Sequence, residues 1–405
     1  MGSLKASQEL LSKIDNPSVE ISLQALQSLL NSKFRPQDQS LNRVLNSLVK
    51  VISILGQNFT FLASLKKDGI YENVAVAIEE DIGLNYHQIY LLLSLAYNHK
   101  TIDNMREYLE NDDIQGNNFA LEVLDNFIDN NLKSVLMPVL QHSNFFTKYK
   151  QLQNYFSLEL VSHEEALSNI LTSEYNQVSL WTKASILHSM MNDNEVKINN
   201  EIIACLFHSD SLIRESAACL IYDKDPELFN ELAERIEPSA RVYLDHTLAQ
   251  LSYHQYHLIK EKVFFLKRNW YFRNLRINIL VDFAKNLIDE EMLPGEVTTI
   301  SGEPSQLPVY FIYQGSIDIY ENNHKVISRT ENEILDFLLL EQEGCKFYDI
   351  KCTDQTILFS MPRELLNLQL FDFPELEIVI QHYMNDFYKE KSQDQNKTTE
   401  ERLAS

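Results

Sequence analysis

The chain has 405 residues, of which 35 are Lys or Arg and 58 are Asp or Glu, giving a formal net charge of −23. Such an acidic chain repels the phosphate backbone of DNA and RNA, so we predict no nucleic-acid partner. It holds only 9 glycines and no GxGxxG or GxxxxGKS/T run, which argues against a Rossmann or P-loop nucleotide enzyme.

The cysteines and the N-terminal sequence indicate a reducing compartment. Cys205, Cys219, Cys345 and Cys352 form no CxxC pair and show no metal-type spacing. The first residues lack the basic and apolar regions of a signal peptide, and no window of 18 uncharged apolar residues occurs. We therefore expect a cytoplasmic protein that does not itself span a membrane.

Helical periodicity extends from Leu10 to about Met292. In Val19–Leu30 the apolar residues recur at three- and four-residue steps, with Asn16 as the predicted N-cap and Pro17 at the first helical position. The same pattern predicts further helices at Leu41–Leu55, Gln88–Tyr97, Asn118–Ile128, Leu132–Leu140 and Glu164–Leu171.

Two predicted helical segments are similar in sequence. Trp181–Leu187 is similar to Arg214–Leu220, and Ala184 and Ala217 are 33 residues apart. A helical period of that size favours a solenoid of helix pairs. Asn16–Glu20 and the segment from Asp210 resemble the capped start of the second helix of a HEAT repeat. We thus predict a HEAT/armadillo-like α-solenoid over residues 1–257.

The pattern changes after Leu293, where half of the 10 prolines fall and the apolar residues alternate. A small β-rich domain is predicted over 293–388, joined by a helical connector over 258–292. Asn322-Asn323 is a predicted hairpin turn. A helix follows from Arg363, breaks at Phe373-Pro374 and resumes to Tyr388, and residues 389–405 are predicted to be disordered. The expected strands are Val309–Tyr313, Ser316–Tyr320, Lys325–Ser328, Phe347–Lys351 and Thr356–Met361.

The run Leu293–Tyr320 resembles the entry to a cyclic-nucleotide-binding domain, whose pattern is LPxGExIxxxGExxxxxYxIxxGxVxVY. Residues 118–140 resemble a helical unit of bacterial proteins that join HEAT-like repeats to such a domain. Those proteins often form the cytosolic tail of ATP/ADP-translocase-like or major-facilitator membrane carriers. The resemblance implies a mainly α chain with a smaller α+β domain, a cyclic-nucleotide-binding-like β-roll.

The sequence departs from that family at the phosphate-binding cassette, which reads FGExALLxxxxRxAxV. The resemblance implies that a glycine, a glutamate and an arginine of the cassette hold the ligand. Here Leu335 stands at the glycine, Asp336 at the glutamate, and Cys345 or Lys346 at the arginine. The bulk of Leu335 obstructs approach of a phosphate to the backbone, although Lys346 could meet one as a point charge. We therefore expect a β-roll that binds no cyclic nucleotide and needs no cofactor.

A basic and aromatic segment stands out in this acidic chain. Its cations could lie against anionic lipid headgroups, or they could be solvated while Trp270, Tyr271 and Phe272 pack between domains. The cations are Lys260, Lys262, Lys267, Arg268, Arg273 and Arg276.

Three histidines are the remaining chemical candidates. His254 and His257 are three residues apart, with His246 two turns upstream, but no HExxH spacing follows, so we read them as ordinary helix residues and predict no metal site. No catalytic residue can be named.

Taken together, the sequence predicts a non-enzymatic, cytosolic regulatory or scaffold module that recognises a protein partner through its solenoid. The alternative is a nucleotide sensor, in which the β-roll binds a cyclic mononucleotide or related ligand and moves its C-terminal helix. A third hypothesis is peripheral membrane contact through residues 260–276.

Overall fold

The computed structural model describes residues 4–66, 69–110, 114–174, 177–251, 257–340 and 346–404. The chain divides into two compact units, Met1–Glu231 and Leu232–Ser405. The first is helical, and the second contains helices and antiparallel strands. The division falls before the predicted boundary at residue 257, because helix Pro238–Leu251 belongs to the second unit.

The helices of the first unit are α1 (Leu4–Lys13), α2 (Val19–Asn31), α3 (Asp38–Ser64), α4 (Glu72–Ala96), α5 (His99–Glu110), α6 (Ile114–Asp125), α7 (Asn130–Leu140), α8 (Phe145–Leu152), α9 (His163–Thr172), α10 (Leu180–Met191), α11 (Asn200–Leu206) and α12 (Ser211–Lys224), with a 3-10 helix at Gly69–Tyr71; α13 (Pro226–Ala233) crosses the division.

The long helices α3 and α4 form the centre of the first unit and pack along each other. Buried Asn58 donates a hydrogen bond to Asn85 at 2.9 Å within this contact. The sequence predicts only the C-terminal end of α4, over Gln88–Tyr97, and not residues 72–87. Within that end, Ile89–Leu95 is buried throughout. Helix α3 also contacts α7, α8 and α9, whereas each pair in a regular solenoid contacts only its neighbours. The solenoid stays a prediction.

Helix α3 has a second property that the sequence analysis did not predict. By length and composition it is apolar enough to cross a membrane, and 67% of its most apolar window is buried inside the unit. A core helix of a water-soluble protein passes the same test, so one such helix is weak evidence for a membrane span.

Helices α10 and α12, which contain the two similar segments, pack against each other. Ala184 and Ala217 are completely buried, as expected for small side chains that let helices approach closely. Asp210 is the N-cap of α12 and accepts a hydrogen bond from the Leu212 amide at 2.9 Å, as predicted. The predicted cap of α2 is wrong. Ser18 holds that position, and Asn16 accepts from the Ser18 amide instead.

The second unit contains α14 (Pro238–Leu251), α15 (Ile259–Arg268), α16 (Ile277–Lys285), β1 (Ile288–Met292), β2 (Val297–Gly302), β3 (Val309–Gln314), β4 (Ser316–Glu321), β5 (His324–Thr330), β6 (Ile334–Asp336), a 3-10 helix at Phe337–Leu340, β7 (Lys346–Cys352), β8 (Thr356–Met361), α17 (Arg363–Asp372) and α18 (Pro374–Ala404).

The strands form two antiparallel four-stranded sheets, in the orders β1-β8-β3-β6 and β2-β7-β4-β5. Fully buried aromatic residues, among them Phe311, Phe359 and Tyr348, fill the core. The Asn322-Asn323 turn between β4 and β5 has φ values of 50° and 63°, which confirms the predicted hairpin. Strand β1 pairs with β8, so the sheets begin inside the predicted connector.

The connector helices pack onto the sheet rather than forming a separate link. The ring centres of Phe272 and Phe311 are 5.8 Å apart, and those of Phe265 and Phe359 are 5.4 Å apart. At the other end, α18 extends to Ala404 through most of the segment predicted to be disordered. That segment lacks an apolar stripe, but its Lys, Glu and Gln residues have good helix propensity.

We expect Gly315→Ala to destabilise the second unit by on the order of 3 kcal/mol. Gly315 joins β3 to β4 with φ at +86°, and a Cβ there would lie 2.8 Å from the Gln355 carbonyl oxygen. Gly295→Ala is the matched control, because φ is +82° and no atom lies within 4 Å of its Cβ position. Gly295→Ala should lower the free energy of unfolding by roughly 1 kcal/mol. Thermal unfolding of both variants tests this, and equal losses would contradict the steric argument.

Candidate functional site

Strand β6 and the following 3-10 helix occupy the position of the predicted cassette. Leu335 lies opposite Tyr310 of β3 and is 1% exposed, so its side chain belongs to the core. Asp336 ends the strand and is 6% exposed. Lys346 begins β7 opposite Gly302, but its side chain and residues 341–345 lie outside what the structure describes.

Arg363 binds the Asp336 carboxylate. Its Nη1 donates to Asp336 Oδ2 at 3.1 Å, and its Nη2 donates to Oδ1. The Arg363 side chain is 9% exposed, and its Nε donates to the Leu307 carbonyl at 3.2 Å. Asp336 Oδ1 also accepts from the Leu338 amide at 2.9 Å, which caps the 3-10 helix. The pair therefore joins β6 to the first residue of α17 through two parallel charge-assisted hydrogen bonds.

The same strand is bound to α18. The Tyr383 hydroxyl donates to the Ile334 carbonyl at 2.7 Å, and Arg329 Nε donates to the same oxygen at 3.0 Å. The Arg329 guanidinium lies 5.2 Å from the centre of the Phe387 ring. Burial raises the pKa of the Tyr383 hydroxyl, so this group remains a hydrogen-bond donor at neutral pH.

The arrangement defines what Asp336 can do chemically. Both of its oxygens face a buried guanidinium, and the two charges neutralise each other. Both carboxylate oxygens thus accept hydrogen bonds from groups of the chain itself. Sequence reasoning found Asp336 but missed Arg363, since a residue 27 positions away becomes its partner only through the fold.

The six cations of the basic segment do not share one surface. Lys260 and Lys262 are each 2% exposed, so neither can lie against lipid headgroups in this structure. Arg276 pairs with Glu375 at 2.6 Å. Lys267 Nζ donates to the Leu275 carbonyl at 3.4 Å.

Two of the cations remain accessible beside an aromatic ring. Arg268 and Arg273 are exposed, and the Arg273 guanidinium lies 3.6 Å from the centre of the Trp270 ring. Trp270 itself is 65% exposed. Contact with an anionic membrane stays a prediction, and it falls on these residues.

The two buried lysines have opposite environments. Lys262 Nζ lies 2.5 Å from Asp289 Oδ2 and donates to the Leu287 carbonyl at 2.8 Å. Lys260 Nζ is buried and has no hydrogen-bond partner among the described residues; it lies 5.3 Å from the centre of the Phe264 ring. Burial lowers the pKa of Lys260 to about 7.

Of the three histidines, His257 is the one whose side chain the structure describes. His257 Nδ1 lies 2.9 Å from Asp289 Oδ1, and its ring contacts Tyr313. His254 and the side chain of His246 lie outside the described residues. Within the described part of the chain, no group of three His, Cys, Asp or Glu side chains is placed to hold a metal ion.

No protein-family model matches this chain, and no curated protein does either. Several solved structures are similar over about a third of it. The regulatory subunit of a cAMP-independent protein kinase A from Trypanosoma cruzi, bound to guanosine, is 20% identical, with a TM-score of 0.27 over 35% of this chain and 51% of that one. The chain thus spans about half the length of that protein.

Two bacterial regulators show a similar degree of likeness. The sensor domain of the transcriptional regulator DNR from Pseudomonas aeruginosa is 13% identical, with a TM-score of 0.27 over 32% of this chain and 89% of that one. The catabolite activator protein of Thermus thermophilus is 15% identical, with a TM-score of 0.27 over 32% and 62%. At these values the likeness carries no argument about ligand or partner.

Proposed function

We propose that this chain is a non-enzymatic regulatory or scaffold module of the cytosol. Its helical unit recognises a protein partner, and its β-roll serves as a rigid docking or capping element that binds no cyclic nucleotide. Residues 118–140 and 293–320 support the further proposal that such a module is the tail of a membrane carrier, as their resemblance implies.

The observation that carries the proposal is the buried pair of Asp336 and Arg363. In the resembled family the carboxylate at this position binds the ribose hydroxyl. Here a guanidinium of the same chain takes both carboxylate oxygens. A ligand would have to break this pair inside a buried environment, and leaving either charge unpaired there costs about 3–5 kcal/mol.

Calorimetric titration of the full chain with cAMP, cGMP and ATP tests the proposal. We expect no saturable heat at micromolar concentrations. Micromolar binding that disappears in Asp336→Asn or Lys346→Ala would contradict the proposal. Glu364→Gln is the control, since this exposed carboxylate is on the same helix as Arg363.

One observation favours the alternative of a nucleotide sensor. Strand β6 binds α17 through Asp336 and α18 through the Ile334 carbonyl, so a ligand that displaced the strand would move both helices. A sensor requires that the ligand have different affinities for the two arrangements. Binding in the titration, together with faster hydrogen exchange in α18 when ligand is added, would favour this function over the first.

A further inference from the structure

An open polar groove of about 520 Å³ lies on the first unit, between the loop after α1 and the N-terminal half of α3. Most pockets for small molecules have this size but are largely apolar. Every residue that lines this groove is polar or charged, and the carbon atoms of these side chains also form part of its surface, which suits an extended ligand with both polar and apolar groups. The lining residues are Asp15, Gln39, Asn42, Arg43, Asn46, Ser47 and Lys50.

Part of the lining is fixed by internal contacts. The Ser47 hydroxyl donates to Asp15 Oδ1 at 2.6 Å, and Arg43 Nη2 lies 3.5 Å from Asp15 Oδ2. Arg43 also donates to the Ser12 carbonyl at 3.3 Å. These contacts hold the loop after α1 against α3, so the wall of the groove is already formed.

The rest of the lining is free to bind. Gln39, Asn42, Asn46 and Lys50 are exposed, and within the described chain none of these side chains has a hydrogen bond or ion pair. Their spacing of three or four residues places them in one row along the helix. Three of the four are amides, each of which offers donors and an acceptor.

The spacing of the row matches an extended peptide. Positions four apart on a helix are separated by about 6 Å along its axis, as Asn42, Asn46 and Lys50 are. The backbone of an extended chain repeats its outward-facing N–H and C=O groups about every 6.7 Å, which is two residues. Neutral amides match peptide groups, whereas a row of phosphates would need a cation at each step.

The charge on and around the groove favours an acidic peptide over a basic one. Residues 1–67 contain eight Lys or Arg and four Asp or Glu, a net charge of +4. Residues 68–405 carry a net charge of −27, and the two parts together give the total of −23. Within the groove Asp15 is neutralised by Arg43, so Lys50 is the uncompensated charge. The basic end of an otherwise acidic protein attracts acidic segments and leaves basic ones to the remaining surface.

We propose that the groove on α3 binds an extended acidic peptide segment of a partner protein, with Asn42 and Asn46 on its backbone and Lys50 on an acidic side chain. This inference rests on the proposed function, for which it names the binding surface and the chemistry of the partner.

Fluorescence anisotropy of the full chain with a labelled peptide of alternating Glu and Val tests the inference. We expect saturable binding that weakens about tenfold in Asn42→Ala/Asn46→Ala and at least as much in Lys50→Glu. Lys50→Arg should keep the affinity. The matched controls are Asn104→Ala and Lys100→Glu, exposed residues of α5 that should leave binding unchanged.

A peptide of alternating Lys and Val and a labelled single-stranded oligouridylate are the competing probes. No binding of the acidic peptide, equal binding of the basic one, unchanged affinity in the groove variants or tighter binding of the oligouridylate would each overturn the inference. A cyclic nucleotide bound at the β-roll would instead contradict the proposed function and leave the groove result unaffected, so the two failures are distinguishable.

Discussion

Arg363→Met is expected to destabilise the second unit by about 3–5 kcal/mol. The substitution preserves most of the side-chain volume but leaves the Asp336 carboxylate 6% exposed with no opposite charge at its oxygens. A buried and unpaired carboxylate is far more costly than a lost surface contact, because it has given up its hydration without compensation. Thermal unfolding and hydrogen exchange of peptides that cover β6 and α17 measure the loss.

The double variant Asp336→Leu/Arg363→Met identifies the source of this loss. Replacing both charges with apolar groups should restore most of the stability, because neither charge is then left buried alone. A residual cost of about 1–2 kcal/mol is expected, since the Leu338 amide and the Leu307 carbonyl lose their partners. Independent, additive effects of the two substitutions would contradict the pairing.

Arg276→Met is the matched control for the same chemistry at the surface. Arg276 binds Glu375 at 2.6 Å, but the two side chains are 33% and 46% exposed. Water screens such a pair, and its loss should cost no more than about 1 kcal/mol. High salt should weaken this pair and have little effect on the buried one.

Much of the β-rich unit can be predicted from the sequence because its central strands β3, β4 and β8 are rich in β-branched and aromatic residues. The predicted bounds of β8 match those found, and β3 and β4 differ by one residue at their ends. Strands β1, β2 and β6 are absent from the sequence prediction, and all three lie at sheet edges. Edge strands tolerate polar residues, as in the acidic β1, and β6 is only three residues long.

The candidate site was harder to predict, because its chemistry depends on contacts between distant residues. The resemblance aligns Asp336 with the ribose-binding glutamate of a degenerate cassette, and only the fold shows that α17 places a guanidinium on it. The same limit applies to the lysines of α15. A charged residue in a sequence is ordinarily on the surface, yet Lys260 and Lys262 are both buried.

Lys260→Met is expected to stabilise the second unit at neutral pH by a few kcal/mol, roughly 2 to 5. Lys260 is 2% exposed and its ammonium has no hydrogen-bond partner among the described residues. Methionine fills a similar volume without an amine to desolvate. Hydrogen exchange of peptides from α15 and β1 reports the change in this unit separately from the helical one.

The pH dependence provides an independent signature of the buried amine. Burial lowers the pKa of Lys260 from 10.5 to about 7, so between these values the unfolded chain binds more protons than the folded chain. The free energy of unfolding of the wild type therefore rises with pH from about 7 towards 10. In Lys260→Met this contribution disappears, and the advantage of the variant over the wild type should shrink as the pH is raised.

Lys262→Met should have the opposite effect and serves as the matched control two residues away on the same helix. It removes the ammonium that lies 2.5 Å from Asp289 Oδ2 and leaves that carboxylate with His257 alone. We expect a loss of about 3 kcal/mol. The two Lys→Met substitutions, at equally buried positions, would then change the stability in opposite directions, because one ammonium is paired and the other is not. Destabilisation by both substitutions, or an unchanged pH slope in Lys260→Met, would show that the Lys260 amine has a partner after all.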